Sequence, residues 1–210
     1  MCESELVDWQ AIFDSYVKDQ QKINEIPAEN EFRASSLGCL RQCTKSRLGL
    51  SKFDDEGLRT LQIGTNLHRF IQQELAVGYL PKPMQFEKKV SFEFAGIKFT
   101  GHIDCWDGEI IYDFKSTSNV EWSIKYPTLK AYIMQLSLYA YALKAKKAVL
   151  VYVDKRNYKI EMKEIELMDI GEIVKFCYDV MAACRQYHMD GSLPGKCSEC
   201  YVCKIKEKDD

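Results

Sequence analysis

The chain has 210 residues, of which 46% are hydrophobic and 29% are charged, with a formal net charge of -2 at pH 7. These values indicate a soluble globular protein with one full core, and they exclude a uniformly basic surface that would attract nucleic acid everywhere. The amino terminus lacks the basic and apolar segments of a signal peptide, and no apolar run reaches membrane-spanning length. We therefore expect a cytoplasmic protein without a membrane partner.

The first predicted helix covers residues 5–23 and is amphipathic, with one apolar stripe that we expect to serve packing only. This stripe consists of Leu6, Trp9, Ile12, Phe13, Tyr16 and Val17. A connector at 25–34 leads into a segment with five basic residues and no acidic one: Arg33, Arg41, Lys45, Arg47 and Lys52. A site for a polyanion is expected to use such a local concentration of positive charge.

A short helix capped by Ser35 or Ser36 is predicted in this segment, and it carries Cys39 and Cys43 one turn apart. Three more cysteines form C-x2-C-x2-C near the carboxyl end: Cys197, Cys200 and Cys203. This spacing matches the opening of a ferredoxin-type iron-sulfur run, whose fourth ligand can come from elsewhere in the chain. Cys39 or Cys43 is expected to complete a four-cysteine site, and a small buried side chain is the alternative for either residue.

A long helix is predicted from Asp54 to about Gly78, and His68 lies within it. A lone helical histidine is most often a core or surface residue, although a neutral imidazole also binds Mn2+ and similar ions. Three strands follow at about 85–94, 97–106 and 109–116. With turns at 95–96 and 107–108, they predict an antiparallel meander.

The second of these hairpins is expected to have a chemical face. A two-residue turn at 107–108 would pair Asp104 with Ile111, and side-chain alternation would place Asp104, Asp113 and Lys115 on one side. The opposite, apolar face would consist of Ile103, Cys105, Ile110, Tyr112 and Phe114. The two carboxylates would then be diagonal neighbours that converge on a divalent cation, an arrangement typical of phosphodiester hydrolysis. The alternative is a surface hairpin whose charges are solvated.

A helix at 128–145 is predicted after a loop, with Gln135 and Tyr139 one turn apart on one face. Both side chains can reach the carboxylates, or they are ordinary polar residues at the edge of an apolar helix. A buried strand at 148–153 is expected to pair with 158–165. The last predicted helix covers 169–188 and has Cys177 and Cys184 in its apolar stripe.

Four motifs resemble, in order and spacing, the RecB-type branch of the PD-(D/E)XK nuclease superfamily: His68 on a helix, Gly101-x-x-Asp104, Asp113-Phe-Lys115 and Gln135-x-x-x-Tyr139. The bracketing cysteines look like the iron-sulfur members of that branch, which include the CRISPR-associated exonucleases of the Cas-four family. The resemblance implies an α/β (α+β) fold with a restriction-endonuclease-like core: a mixed sheet flanked by helices, an N-terminal helical elaboration and a C-terminal cysteine cluster. It also implies a single nuclease domain over 1–210, with parts at 1–53, 54–190 and 191–210.

The resemblance implies four metal ligands: His68, Asp104, Asp113 and the Phe114 carbonyl. It further implies that Lys115 is the catalytic lysine and that Gln135 and Tyr139 position DNA or this lysine. The segment around Cys39 resembles the first cysteine segment of the family, which favours Cys39 over Cys43 as the cluster ligand. In two departures, the interval before Cys203 is shorter than is usual in the family, and Asp113 stands where the family often has Glu.

The expected function is that of a metal-dependent DNA exonuclease that uses Mg2+ or Mn2+ and carries a structural 4Fe-4S cluster. The resemblance favours single-stranded ends and the 5′ direction, either in CRISPR adaptation with an integrase or in replication and recombination with a helicase partner. Trp122, Tyr126 and Tyr139 are candidates for stacking on bases. The alternatives are a non-catalytic single-stranded DNA-binding subunit with the same fold and a zinc-bound regulatory module.

Overall fold

The computed structural model describes residues 8–19, 27–51, 54–75, 80, 83–200 and 203. Over these residues it has six α-helices and six β-strands, numbered here in chain order. The helices are α1 (Trp9–Asp19), α2 (Leu40–Arg47), α3 (Asp55–Phe70), α4 (Val120–Lys125), α5 (Lys130–Leu143) and α6 (Ile170–Asp190). The strands are β1 (Glu31–Arg33), β2 (Gln85–Phe94), β3 (Ile97–Trp106), β4 (Ile110–Thr117), β5 (Lys147–Asp154) and β6 (Ile160–Glu164). A 3-10 turn at Ala34–Ser36 precedes α2, and a π-helical turn at Ile71–Leu75 follows α3.

One mixed sheet contains these strands, and β3 is its branching strand. β3 pairs antiparallel with β2 along most of its length, parallel with β1 near its start and antiparallel with β4 at its end. β4 and β5 are parallel, so the chain crosses over between them through α5, and β6 pairs antiparallel with β5. The structure thus confirms the mixed sheet flanked by helices and the antiparallel order of β2, β3 and β4.

Both faces of the sheet are covered. The larger core joins the sheet to α5 and α6 and includes fully buried side chains of Phe99, Ile103, Met134, Leu138, Leu150 and Ile173. A smaller cluster joins Leu67 of α3 and Ile71 to Val151 and Val153 of β5, and Phe114 of β4 packs against it. The end of β4 therefore lies between helices, and its polar side chains point into an interior instead of into solvent.

The turn between β3 and β4 differs from the prediction. Its central residues are Gly108 and Glu109 instead of Asp107 and Gly108, since Asp107 N–H bonds to the Ile110 carbonyl. The Asp107 carboxylate favours this turn, because its Oδ1 accepts hydrogen bonds from the backbone N–H groups of Glu109 and Ile110 at 2.9 and 2.7 Å. Gly108 supplies the required φ of +101°.

The shifted turn changes the register by two residues. Trp106 pairs with Ile111 instead of with the residue at 109. Because side chains alternate along a strand, a shift of two leaves every side chain on its expected face. The ladder between β3 and β4 ends at the pair Cys105–Tyr112, and Asp104 and Asp113 are the next residues beyond this pair, instead of the diagonal neighbours that were predicted.

The start of α2 also differs from the prediction. Ser35 and Ser36 belong to the 3-10 turn, where the Ser36 hydroxyl donates to the Arg33 carbonyl at 2.8 Å. Cys39 is the N-cap residue of α2, and its side chain makes no capping hydrogen bond. Cys39 therefore precedes the helix, and the one-turn spacing from Cys43 does not place the two sulfur atoms on one helical face.

Two further helices, α4 and α1, differ from the prediction. α4 lies where a loop was predicted, because Asn119 accepts a hydrogen bond from Trp122 N at 2.9 Å and caps a helix too short to show a periodicity. In α1, Val17 is buried but Ile12, Phe13 and Tyr16 are exposed, so the packing prediction is wrong for these three. Residues 5–7, 20–23 and 76–78 of the predicted helices lie outside the described residues.

Within the described part of the chain, no helix combines the length and apolar character that a membrane span requires.

Candidate functional site

Two buried carboxylates meet where β3 and β4 pair. Asp104 is 8% exposed and Asp113 is 1% exposed. Asp104 Oδ2 accepts a hydrogen bond from the Phe114 backbone N–H at 2.8 Å, and Asp113 Oδ1 accepts one from Gln135 Nε2 at 3.2 Å. The other oxygen, Asp113 Oδ2, faces Lys115. A buried carboxylate is costly unless a positive charge compensates it.

Lys115 supplies the nearest positive charge. Its Nζ forms an ion pair with Asp113 Oδ2 at 2.8 Å and lies 3.5 Å from Gln135 Oε1. The Tyr132 ring faces the ammonium group, with 4.7 Å between Nζ and the ring centroid. Burial acts to lower the pKa of Lys115, but the charges of Asp113 and Asp104 outweigh it and raise the pKa. The lysine is therefore protonated at neutral pH.

The negative charges of Asp104 and Asp113 repel each other. Burial, followed by the negative charge of Asp113, raises the pKa of Asp104 to about 6, although His68 and Lys115 act in the opposite direction. One lysine does not neutralise two adjacent carboxylates, so a divalent cation would stabilise the pair. Carboxylate oxygens are the ligands that Mg2+ and Mn2+ prefer, so the two buried acids fit such an ion.

His68 approaches the acids from α3. Its Nε2 lies 2.9 Å from the Phe114 carbonyl oxygen, and its Nδ1 lies 3.6 Å from Asp104 Oδ1. Because a carbonyl oxygen can only accept, Nε2 carries the hydrogen, and in the neutral imidazole Nδ1 then carries the lone pair. Nδ1 is directed toward the carboxylates. A backbone carbonyl commonly fixes the tautomer of a metal-binding histidine in this way.

Sequence reasoning misses a third acid, Glu87 on β2. One ligand atom from each of His68, Glu87 and Asp104 lies within 4.8 Å of the others. A signal was present in the predicted hairpin, because its turn at 95–96 places Glu87 level with Asp104. β2 carries several charged side chains, however, and looks like an ordinary solvated edge strand. The pattern therefore does not separate this glutamate from the other charges of β2.

α5 brings Gln135 and Tyr139 to the site on one face, as their spacing predicts. Besides its contacts with Asp113 and Lys115, Gln135 donates to the Tyr139 hydroxyl at 3.4 Å. Burial raises the pKa of Tyr139 to about 12, so its phenol is neutral. A Cβ at Gly101 would lie 2.7 Å from atoms of the Tyr139 side chain. The glycine of the Gly-x-x-Asp motif therefore provides space for the tyrosine.

Gly101→Ala should displace the Tyr139 ring and lower the free energy of unfolding by about 1–3 kcal/mol, the usual cost of an extra methyl group in a packed core. Urea unfolding measures this change. Gly195→Ala is the control, because a Cβ there has no described atom within 4 Å. Tyr139→Leu in the Gly101→Ala background should recover part of the loss. Equal stability of the single variant and the unaltered protein would contradict this packing.

Four sulfur atoms converge where the tail meets α2. They belong to Cys39, Cys197, Cys200 and Cys203, lie within 4.8 Å of one another, and come as close as 3.7 Å between Cys39 and Cys203. The Cys200 backbone N–H donates to the Cys197 sulfur at 3.3 Å, which is the main reason why the pKa of Cys197 falls to about 6. Metals bind the thiolate form that such bonds stabilise. The arrangement fits a four-cysteine metal site.

Cys43 lies apart from this group. Its Sγ donates to the Ser36 carbonyl at 3.0 Å, and burial raises the pKa of its thiol to about 12. Cys105 and Cys177 are also buried, with pKa values that burial raises to about 12. The structure thus brings Cys39, and not Cys43, to the three cysteines of the tail.

The basic segment at 33–52 does not form the open surface that was expected. Arg41 is buried, and its Nη1 donates to the Pro194 carbonyl at 2.8 Å. Arg47 donates to three carbonyl oxygens within 28–31, each at 2.8 Å. These guanidinium groups hold chain segments together, so the expectation that they attract a polyanion is wrong for both.

Two cavities with volumes of 660 and 1060 Å³ open onto the carboxylate site. Both contact His68, Glu87, Lys115 and Tyr132. The larger one also has a basic and hydroxyl-rich lining: Arg33, Lys89, His102, Ser35, Ser91 and Thr100. The positive charge of this lining therefore comes from Arg33 of β1, the first residue of the basic segment, and from Lys89 of β2, and it suits an anion.

Comparison with known proteins places these features in a family. The family model for the PD-(D/E)XK nuclease superfamily matches residues 61–206. The crystal structure of SSO0001 shares the fold, with a TM-score of 0.62, 18% identity, and coverage of 95% of this chain and 96% of that chain. Two exonuclease structures align less closely. The alkaline exonuclease LHK-Exo from Laribacter hongkongensis has a TM-score of 0.45 and 15% identity, covering 77% of this chain and 89% of that chain.

A phage-related exonuclease from Haemophilus somnus has a TM-score of 0.45 and 17% identity, covering 71% of this chain and 78% of that chain. No curated protein shows a significant match. The family model covers more than half of the chain, including the carboxylates, the lysine and the three cysteines of the tail. The chain therefore belongs to the PD-(D/E)XK nuclease superfamily.

Proposed function

We propose that this protein is a metal-dependent exonuclease that hydrolyses phosphodiester bonds at single-stranded DNA ends. One observation carries the proposal: Asp104 and Asp113 are buried beside the protonated Lys115, whose Nζ lies 2.8 Å from Asp113 Oδ2, so two carboxylates share a single positive charge. The superfamily supports this reaction class, because its nucleases use divalent metals. His68, Asp104 and Asp113 would hold Mg2+ or Mn2+.

Each remaining residue of the site has a proposed part in the reaction. When bound, the cation would lower the pKa of a water molecule and polarise the phosphate. Lys115 would stabilise the negative charge that develops on the phosphate. Gln135 holds Lys115 and Asp113 in place and connects them to Tyr139. The Phe114 carbonyl accepts from the imidazole with one lone pair, and its second lone pair would bind the cation.

A single strand is the proposed form of the substrate. The two cavities, which meet at His68, Glu87, Lys115 and Tyr132, offer a path for one flexible strand. Trp122 and Tyr126 form an exposed stacked pair, with 4.5 Å between ring centroids, and are candidate platforms for unpaired bases. Tyr139 is buried, so a base cannot stack on it. The 5′ direction rests on the resemblance to the RecB-type branch and its Cas-four members.

We further propose a 4Fe-4S cluster for the four cysteines. The spacing of the tail supports iron and sulfur, while four thiolates alone would equally suit Zn2+. Such a centre would join the parts at 1–53 and 191–210 around the core at 54–190, which supports one domain over 1–210. A CRISPR integrase or a recombination helicase is the proposed partner, and the cytoplasm is the proposed location.

End-labelled single- and double-stranded DNA, incubated with Mg2+, Mn2+ or EDTA, tests the function. We expect early release of a 5′ label from single strands, progressive shortening of 3′-labelled strands, and no reaction in EDTA. Early release of the 3′ label would reverse the proposed direction. Binding without cleavage in either metal would overturn the exonuclease and favour the non-catalytic single-stranded DNA-binding subunit.

Lys89→Ala should weaken the binding of single-stranded DNA and make it less dependent on salt. Lys89 is exposed on β2 and lines the larger cavity, where it would meet a phosphate. Each phosphate contact contributes about 0.7 to the slope of log K against log salt for single strands, so the slope should fall by roughly that amount. Fluorescence anisotropy in a salt series measures it. Lys147→Ala on β5 is the control, and an equal slope for both variants would rule out the contact.

A further inference from the structure

Glu87 occupies a distorted position of an otherwise regular strand. Its φ is +48°, in the left-handed region that a glutamate rarely adopts. The ladder between β2 and β3 pairs every residue of β2 except Glu87, which stands level with Asp104. The side chain is held in turn by Gln72, whose Nε2 donates to Glu87 Oε1 at 2.5 Å. Backbone distortion of this kind costs free energy and persists where the surroundings enforce it.

The distortion directs a carboxylate at the metal-binding groups. Ligand atoms of His68, Glu87 and Asp104 lie within 4.8 Å of one another, close to the spacing of about 3–4 Å that atoms around one cation have when metal–oxygen distances are about 2.1 Å. A further buried charge lies nearby: Asp113 is almost completely buried, its charge acts on Asp104, and the Lys115 ammonium group at 2.8 Å is the cation beside it. Gln72 belongs to a π-helical turn, a feature frequent at functional sites.

We infer that Glu87 is a further ligand of the divalent cation, beside His68 and Asp104. This inference rests on the proposed function, because it concerns the same cation. The charges agree with it: three carboxylates and the Lys115 ammonium group leave two negative charges, which one divalent ion neutralises.

Mn2+ affinity of the purified protein, measured by electron paramagnetic resonance of free Mn2+ and by calorimetry, tests the inference without a nuclease assay. Glu87→Gln retains the shape of the side chain and an acceptor for Gln72 but removes the charge. It should weaken Mn2+ binding by at least about 10-fold, since even indirect partners of a metal are worth that much. Glu93→Gln changes the same charge on the same strand, away from the cavities, and should bind Mn2+ normally.

Two more variants separate the possible outcomes. If Asp104→Asn loses Mn2+ while Glu87→Gln binds it normally, the inference about Glu87 is wrong and the proposed cation site stands. If Asp104→Asn also binds Mn2+ normally, the cation site and the proposed function fall together. Glu87→Gly relieves the positive φ and should raise the melting temperature while it weakens Mn2+ binding. Normal Mn2+ affinity in this stabilised variant would overturn the inference as well.

Discussion

Lys115→Met is expected to lower the rate of DNA cleavage by at least about 100-fold, the usual effect of removing a group that stabilises charge in the transition state. The lysine is buried beside Asp113 and stays protonated, so its charge is available where the phosphate becomes more negative. Methionine has a similar length and removes only the charge. Single-turnover cleavage of a labelled single strand measures the effect.

The experiment needs a measure of folding, because Asp113 loses its charged neighbour. A buried acid without a partner is destabilising, but Mn2+ would take over part of that compensation. The melting temperature and the Mn2+ affinity are therefore compared in the same preparation. Lys147→Met, an exposed lysine on β5, serves as the control and should cleave DNA normally. Undiminished cleavage by a folded Lys115→Met protein would remove the lysine from the reaction.

Cys39→Ala should release the metal of the four-cysteine site and lower the melting temperature by about 5–10 °C, whereas Cys43→Ala should retain the metal. The Cys39 sulfur lies among the three tail cysteines, and that of Cys43 faces a carbonyl oxygen. Since the Cys39 side chain makes no capping bond to α2, its removal leaves the start of the helix intact. The loss of stability would then come from the metal, whose binding contributes to folding.

Elemental analysis and visible absorption distinguish the possible metals. A brown protein with broad absorption contains iron and sulfur, whereas a colourless protein with stoichiometric zinc does not. The comparison of the two variants is informative for either metal. Loss of metal from Cys43→Ala but not from Cys39→Ala would reverse the assignment, and retention in both would remove the four-cysteine site.

Local features of this fold follow from the sequence, because they depend on neighbouring residues. The bounds of β2 and β3 are predicted correctly, since regular alternation of apolar and polar side chains ends on each side of the turn at 95–96. The order of Asp104, Asp113 and Lys115 along one hairpin is likewise local. The next turn is predicted wrongly because the Asp107 carboxylate bonds to two backbone N–H groups, and this competes with the turn that an Asp-Gly pair favours.

The sequence pattern does not predict contacts between distant segments of the chain. Arg41 looks like a phosphate-binding residue until its carbonyl partner, 153 positions further along the chain, is known. The sequence pattern does not distinguish Glu87 from an ordinary surface charge. Its proximity to His68 and Asp104 depends on the distortion of β2 and on the position of α3. Cys39 and Cys43 look equivalent until the start of the helix is known to lie between them. In each case the deciding information is three-dimensional.

The contact between Gly38 and α5 connects the cysteine site to the nuclease site. Gly38 precedes Cys39, and a Cβ at this glycine would lie 2.6 Å from the Ala131 Cβ, so the two segments touch without any space between them. Ala131 stands one turn before Gln135, which holds the lysine and an acid of the nuclease site. A displacement of the Cys39 segment would therefore press on the helix that carries Gln135 and Tyr139.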